Sequence, residues 1–324
     1  MLINRFFCII IIKIYLIQNA KVFITETKMQ KMMILLAILG IIFPSVFSGD
    51  INAVPQEESR VVTVLTYHHF SDMPVDNDMT ITVSAFEKQL RGLKERGYTA
   101  ISMRDLINYA EYAHPLPEKP FLITIDDGYE SNYLMAFEVL KKLDMPAVIS
   151  VVGWSVGKNT RLDGSTPITP HFSWETARRM YESGYIEIQN HSYDMHSTPF
   201  DNVLFNPDGR YGVLSIVGET EEQYREKLKS DMYKNKYLIE SNVGNNNVLF
   251  CYPYGLKNDI SEDVARELGF KITLTTRKGV NYIRPGDSLY SLNRITVYEK
   301  TTAAALDSYI KDQSIIARKA NLIK

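Results

Sequence analysis

The chain has 324 residues, of which 45% are apolar and 23% are charged, and its formal net charge is −2 at pH 7. This composition is typical of a globular protein with enough apolar residues for a sizeable core. The small net charge argues against a nucleic-acid-binding protein, which normally carries a basic face. The chain has two cysteines, Cys8 and Cys251, so a four-cysteine zinc site is excluded and any metal site must use His, Asp or Glu.

Two apolar runs precede the first predicted strand. The second run, Met32 to Ser48, follows two lysines and ends on small residues, which is typical of a secretory signal peptide. The first run, Phe6 to Ile17, is consistent with a translation start assigned too far upstream. We therefore predict a leader at residues 1–48, a linker at residues 49–60, and a secreted or extracytoplasmic protein. Because the second run approaches membrane-spanning length, membrane association through an uncleaved leader stays open.

Strand-like apolar runs alternate with helix-like segments through residues 61–324. This alternation predicts a mainly parallel sheet, and the number of units favours a single α/β barrel over an open sheet. Ser84 begins one predicted helix with Glu87 as its capping-box partner, and Ser261 is the predicted N-cap of another. The runs are Val61–Tyr67, Phe121–Ile125, Ala147–Gly153, Tyr185–Gln189, Val248–Tyr252, Phe270–Thr276 and Ser291–Val297.

Residues 197–218 break this alternation. They show no clear period, turn-forming residues interrupt them, and a polar helix is predicted after them from Glu219 to about Glu240. An insertion of this length predicts a substrate-facing loop or a peripheral flap.

Polar motifs stand at the ends of four predicted strands, where barrels carry their chemistry. Two adjacent carboxylates, Asp126 and Asp127, repel each other at a strand end, and a divalent cation would compensate them. Asp127 with His191 and His196 would form a zinc-type site that leaves Asp126 free as a base. Taken singly, the acidic pair is equally consistent with a turn and the histidines with surface positions. The motifs are Tyr67–His69 (YHH), Thr124–Gly128 (TIDDG), Asn190–His196 (NHSYDMH) and Phe250–Gly255 (FCYPYG).

In combination, TIDDG, HSYDMH and FCYPYG resemble the first three motifs of the polysaccharide deacetylases, carbohydrate esterase family 4. The resemblance covers nearly all of Val61 to Val297. It implies a distorted (β/α)7 barrel that removes acetyl groups from amino sugars or xylan with a divalent metal. By this resemblance Asp126 matches the catalytic base, and Asp127 matches the metal-ligating acid. His191 and His196 match the metal-ligating histidines, and the backbone N–H of Tyr254 matches the oxyanion donor.

Three features depart from the family pattern. Four residues separate the two histidines instead of the common three, a spacing similar to that of the branch that deacetylates poly-β-1,6-N-acetylglucosamine. Cys251 stands where the family has an arginine that orients the base, and Arg294 in the last strand is a candidate replacement. The late Leu-x-His motif that supplies the general acid is absent, since the last histidine is His196. We choose His68 as the candidate acid, because successive strand residues face opposite ways and only one residue of the His68–His69 pair can face the site.

These observations predict a metal-dependent hydrolase, with zinc as the expected ion and an acetylated extracytoplasmic polysaccharide as its partner. N-deacetylation of an N-acetylglucosamine-containing glycan is the leading reaction. An O-acetyl xylan esterase would use the same residues, and a non-catalytic glycan-binding module would account for the missing late histidine, so both alternatives stay open. A metallohydrolase of phosphate esters would need a second metal or a cationic clamp, and the sequence shows no second ligand cluster.

Overall fold

The computed structural model describes residues 59–161, 163–201, 204 and 206–321. The predicted leader and all but the last two residues of the predicted linker therefore lie outside the described residues. None of the helices in the described part is both long and apolar enough to cross a membrane. The strands are β1 (Arg60–Tyr67), β2 (His69–Ser71), β3 (Thr80–Thr82), β4 (Thr99–Ala100), β5 (Pro120–Asp127), β6 (Ala147–Val151), β7 (Ile186–Asn190), β8 (Leu249–Cys251), β9 (Ile272–Lys278), β10 (Asn281–Ile283) and β11 (Leu289–Thr296). The α-helices are α1 (Val83–Glu95), α2 (Met103–Tyr112), α3 (Phe137–Leu143), α4 (Trp174–Glu182), α5 (Glu221–Val243), α6 (Asp259–Glu267) and α7 (Ala303–Asn321).

Seven parallel strands close into a barrel in the order β1, β5, β6, β7, β8, β9, β11 and back to β1. The closure is made by β1, which pairs in parallel with β5 on one side and with β11 on the other. The short β4 lies beside β5, and β10 pairs antiparallel with β1. The seven barrel strands coincide with the seven predicted runs, so the predicted α/β fold, a distorted (β/α)7 barrel, is confirmed.

Alternate residues of the barrel strands belong to two different apolar clusters, because successive side chains of a strand point to opposite faces. Val64 and Leu122 belong to a cluster that draws on strands around the barrel and on helix α2. Leu65 and Ile123 belong to another cluster, which packs the strands against other helices. Because both faces of these strands are covered, β5 is buried along its whole length and reads as a continuous apolar run up to the two acids.

Two helices begin earlier than predicted. Helix α1 is capped by Thr82, whose hydroxyl accepts the N–H three residues later, so the predicted capping box of Ser84 and Glu87 is wrong. Thr82 takes this position because β3 ends there, which leaves its side chain at the strand-to-helix turn. Helix α6 is capped by Asn258, and Ser261 is the third residue of the resulting capping box instead of the cap. In both cases a polar residue upstream satisfies the first free N–H groups of the helix.

All seven barrel strands are parallel, so their carboxyl ends lie at the same rim and carry the motif loops to one place. Helix α5 follows the loop of residues 197–220, whose described residues form neither helix nor strand. This helix packs beside β7, the strand that precedes the histidines. The fold thus brings the acidic pair, the histidine motif and the polar helix together at one end of the barrel.

Candidate metal centre and active site

Three side chains from two motif loops meet at the rim of the barrel. Oδ1 of Asp127 lies 3.4 Å from Nε2 of His191 and 3.3 Å from Nε2 of His196. This oxygen is buried and has no hydrogen-bond partner among the described residues. One carboxylate oxygen and two imidazole nitrogens that converge in this way form a donor set suited to a divalent cation. The structure therefore brings the three predicted metal ligands together.

The backbone turn after β5 aims Asp127 at this point. Asp127 has a left-handed conformation with φ of 75°, which Asp tolerates better than most residues. Gly128 follows with φ of 86°, and a Cβ on it would lie 2.9 Å from the side chain of Val151. The glycine of the TIDDG motif is therefore required by both conformation and space.

The hydrogen bonds of the histidines indicate which nitrogen faces the centre. Nδ1 of His191 lies 2.7 Å from the carbonyl oxygen of Cys251, so its N–H donates there and the lone pair of Nε2 faces Asp127. Nδ1 of His196 lies 3.3 Å from the hydroxyl of Tyr254. Burial lowers the pKa of His196, but Asp127 outweighs it, so the net pKa is raised. A proton held in this way is one that a bound cation would displace.

Asp126 lies among different partners. Arg294 is 1% exposed, and its Nη1 donates to both carboxylate oxygens of Asp126 at 3.0 and 2.8 Å. Nε of Arg294 donates to the carbonyl of Thr275 at 2.7 Å, which fixes the guanidinium. Burial raises the pKa of Asp126, but Arg294, followed by His191 and His68, outweighs it and holds the pKa below its ordinary value. The guanidinium thus occupies the place expected for a replacement cation, and Asp126 is ionised and able to accept a proton.

A second group of possible ligands is less suited to a metal. Asp126, His191 and Cys251 offer donor atoms within 4.8 Å of one another. However, Arg294 already pairs with Asp126, and burial raises the pKa of the Cys251 thiol well above its usual range. The protonated thiol lies 3.4 Å from Asp126 and donates to it. Cys251 is therefore a neighbour of the base and a poor metal ligand in this setting.

Only one histidine of the YHH motif faces the site, and it is His68, which lies between β1 and β2. Nε2 of His68 lies 3.9 Å from Oδ2 of Asp126, and burial lowers the pKa of its ring. His69 instead packs edge-on against Tyr129, with ring centroids 5.2 Å apart. The geometry is compatible with His68 as an acid, and that role stays a prediction.

Tyr254 lies in a tightly fixed turn. Its φ is 58°, and its carbonyl accepts a hydrogen bond of 2.9 Å from the hydroxyl of Thr276. A Cβ on the next residue, Gly255, would lie 2.2 Å from the backbone nitrogen of Thr276, so only glycine fits. The turn is rigid, as an oxyanion donor requires, but the role of the Tyr254 N–H stays a prediction.

The structure adds residues that the sequence did not indicate. Tyr211, in the insertion, stacks obliquely on Tyr254 with ring centroids 5.3 Å apart and is 42% exposed. Tyr254 in turn lies 4.6 Å from the ring of His196. Asp231 and Asn235 of helix α5 bind the backbone of the histidine motif. The insertion that contains Tyr211 has no periodic apolar pattern. The only sequence feature that could have pointed to this residue is an aromatic side chain in a turn-rich insertion.

Comparison with known proteins agrees with this fold. The family profile described as polysaccharide deacetylase matches residues 113–273. The poly-β-1,6-N-acetyl-D-glucosamine N-deacetylase of Escherichia coli (strain K12) is 25% identical over 292 residues, which cover 80% of this chain and 42% of that protein. This chain thus spans about two fifths of the length of that relative.

Two solved structures are similar over most of their length. The structure of IcaB from Ammonifex degensii matches with a TM-score of 0.63 and 25% identity, covering 78% of this chain and 98% of that one. The BpsB deacetylase domain from Bordetella bronchiseptica matches with a TM-score of 0.59 and 29% identity, covering 73% and 96%. Together with the barrel and the converging motifs, these matches show that the chain belongs to the polysaccharide deacetylase family.

Proposed function

We propose that this protein is a metal-dependent deacetylase of an extracytoplasmic polysaccharide, and that it removes N-acetyl groups from an N-acetylglucosamine-containing glycan. One observation carries the proposal: the cluster of Asp127, His191 and His196 lies directly beside Asp126, which Arg294 holds ionised. The name of the Escherichia coli relative supports an amide over an ester as the bond that is cleaved.

Zinc is the ion that we propose for the centre. Asp127, His191 and His196 would hold it, because two imidazoles, one carboxylate and open positions are a donor set that catalytic zinc uses. The hydrogen bond from His191 to the Cys251 carbonyl supports this role, since metal-ligating histidines are usually oriented by their second nitrogen. A bound cation there would polarise an acetyl carbonyl and lower the pKa of a water molecule.

Asp126 supplies the base. It accepts a proton from the water molecule that attacks the acetyl carbon, and Arg294 holds the carboxylate in place while this happens. The guanidinium is almost fully buried, so its charge acts on Asp126 with little screening. Because Arg294 favours the ionised form, Asp126 stays available as a base at neutral pH.

Tyr254 and His68 complete the reaction. The N–H of Tyr254 donates to the oxygen that becomes negative as the carbonyl is attacked. His68 donates a proton to the leaving nitrogen, and the lowered pKa of its ring makes the protonated form a ready donor. The C–N bond breaks, acetate leaves, and the amine retains the donated proton. The proton that Asp126 took from water then passes to His68, whose Nε2 lies 3.9 Å away, so both groups are restored, and the acetic acid loses its remaining proton to solvent.

Two aromatic rings beside the centre, one exposed and one half-buried, support a glycan substrate. Tyr211 and Tyr254 stack next to His196, and sugar faces pack well on such rings. A non-catalytic binding module would also use these rings. However, it would have no use for Asp126, a buried base paired with arginine beside the metal centre. The arrangement therefore favours catalysis over binding alone.

Export through the leader belongs to the same proposal. The Met32–Ser48 run resembles a signal peptide and lies outside the described residues. Fractionation of cells that express the full chain, with sequencing of its mature N-terminus, tests this part. Export predicts the protein outside the cytoplasm, with cleavage near Ser48 or an intact leader in the membrane fraction. Recovery of the intact chain in the cytoplasm would contradict it.

Acetate release tests the enzymatic part. The full chain would be incubated with poly-β-1,6-N-acetylglucosamine, chitin oligomers and acetylated xylan, with added zinc or with chelator. We expect zinc-dependent acetate release from an N-acetylglucosamine polymer. Release from xylan alone would identify an esterase. No release from any of these glycans, with zinc still bound, would support the binding module.

A further inference from the structure

The long polar helix α5 binds the backbone of the histidine motif. We call residues 191–196, which connect His191 to His196, the histidine loop. Asp231 and Asn235 lie one helical turn apart on α5, so both side chains project from the same face of the helix toward this loop. Of the two, only Asn235 is fully buried.

Asp231 binds the middle of the histidine loop with both carboxylate oxygens. Oδ1 accepts the backbone N–H of Tyr193 at 2.8 Å, and Oδ2 accepts that of Asp194 at 2.7 Å. Both contacts are short, as is expected when the acceptor is ionised. Lys234, which lies between Asp231 and Asn235 on α5, places its ammonium 3.5 Å from the centroid of the Tyr193 ring. The four residues that separate the two histidines are therefore held at their centre.

Asn235 binds the first half of the same loop. Its amide donates to the carbonyl of Ser192 at 2.8 Å, to the carbonyl of Val151 at 2.9 Å and to the side chain of Asn190 at 2.9 Å. The Asn190 oxygen also accepts the N–H of Ser192, which has a left-handed φ of 70°. Asn235 thus supports the turn directly after His191, and Asp231 supports the following turn toward His196.

Burial and the backbone contacts act in opposite directions on the carboxyl of Asp231. Burial raises the pKa of its carboxyl to about 6, although the N–H groups of Tyr193 and Asp194 favour the ionised form. A raised pKa means that the ionised carboxylate makes folding less favourable at neutral pH. The two N–H groups that the carboxylate oxygens of Asp231 bind lie between two predicted metal ligands, His191 and His196.

We propose that Asp231 is a positioning residue of the metal centre, which sets the spacing of His191 and His196 through the backbone of the histidine loop. This inference rests on the proposed function, because it takes the two histidines as metal ligands. The four-residue spacing makes the loop one residue longer than the common family pattern, and Asp231 supplies the external contact that holds the added length.

Zinc affinity tests the inference without any activity assay. Zinc binding to the full chain would be measured by competition with a chromogenic chelator at constant pH, with thermal unfolding of the metal-free forms measured in parallel. Asp231→Asn keeps the shape of the side chain but turns one acceptor into a donor that faces an N–H. Glu226→Gln removes one carboxylate from an exposed position of the same helix and is the matched control. His196→Ala removes a proposed ligand and is the reference.

We expect Asp231→Asn to weaken zinc binding by about 10- to 100-fold, the usual effect of losing a group that orients a ligand. We expect Glu226→Gln to bind zinc within about twofold of the wild type. Equal zinc affinity in Asp231→Asn and the wild type would overturn the inference, whatever the melting temperature. If His196→Ala also bound zinc normally, the proposed metal centre would be wrong as well. Should Asp231→Asn not fold, Asp231→Ser, whose shorter side chain cannot reach both N–H groups, is judged by the same criterion.

Discussion

Asp126 and Asp127 are neighbours in the chain but lie in contrasting surroundings. Asp127 faces two imidazoles, which are charged only when they are protonated. One of its oxygens has no hydrogen-bond partner among the described residues. Asp126 faces a buried guanidinium that is always charged. The first arrangement can take up a cation, whereas the second already contains one. Two carboxylates side by side thus have different surroundings, and these surroundings predict different chemical roles.

The partners of the two acids also come from different parts of the chain. The metal side, formed by Asp127, His191 and His196, lies within residues 113–273, the segment that matches the family profile. On the base side, around Asp126, His68 directly follows β1 and Arg294 lies in β11, both outside that segment. Closure of the barrel brings them to Asp126, because β1 pairs with both β5 and β11. Both sides depart from the family pattern: His191 and His196 are one residue further apart than is common, and Arg294 and His68 stand in for the usual arginine and late histidine on the base side.

Replacement of His68 gives the largest expected effect on the base side. We expect His68→Gln to lower kcat/KM by about 100- to 10,000-fold, the range for a lost general acid, with zinc affinity nearly unchanged. His69→Gln is the matched control, since His69 packs on Tyr129 and should alter the rate only slightly. Steady-state kinetics on an N-acetylglucosamine polymer makes the comparison. Equal losses in the two variants would contradict a specific role for His68.

Loss of the guanidinium tests the ion pair. We expect Arg294→Met to lower the free energy of unfolding by about 3–5 kcal/mol, because it leaves the buried carboxylate of Asp126 without its cation. Activity should fall as well, since the pKa of Asp126 rises when the charge is removed. Arg178→Met, at an exposed position, is the control. Denaturant unfolding of both variants provides the measurement, and a loss below 1 kcal/mol in Arg294→Met would show that the pair contributes little.

The raised pKa of Asp231 predicts a pH-dependent difference in stability. The carboxyl has a pKa of about 6 in the folded chain against an ordinary value of 3.8. Between these values the folded state binds more protons than the unfolded state, so the contribution of Asp231 to stability falls as pH rises. Without metal, Asp231→Asn should therefore gain up to about 3 kcal/mol relative to the wild type between pH 4 and pH 7. Denaturant unfolding at several pH values measures this, and a difference independent of pH would contradict the raised pKa.

Removal of the Tyr211 ring gives the smallest expected effect. One aromatic contact contributes about 0.5–1.5 kcal/mol, so Tyr211→Ala should raise KM for a glycan oligomer by about 2- to 12-fold. The kcat should change little, because the ring lies beside Tyr254 and does not belong to the proposed reacting groups. Tyr233→Ala, at an exposed position of helix α5, is the control. A fall in kcat with an unchanged KM would argue against a role in binding.

The sequence predicted the barrel because its strands are covered on both sides and therefore form distinct apolar runs. It also predicted that Asp127, His191 and His196 meet, because they lie in short motifs at strand ends, and their role as metal ligands stays a prediction. Arg294 was only a candidate, since 168 residues separate it from Asp126 and only barrel closure determines that they meet. Asp231 could have been noticed from its spacing to Asn235 on a polar helix. However, the hydrophobic pattern of a helix does not show which backbone its polar side chains bind.

Replacing Asp126 and Asp127 by asparagine, one at a time, tests most directly whether the two acids have different roles. Zinc affinity and acetate release would be measured for Asp126→Asn and Asp127→Asn in the full chain. We predict that Asp127→Asn loses both zinc binding and activity, whereas Asp126→Asn keeps zinc affinity within a few fold and loses activity by about 100- to 10,000-fold. If Asp126→Asn lost zinc as completely as Asp127→Asn, or released acetate at the wild-type rate, the division of roles between the two neighbours would be wrong.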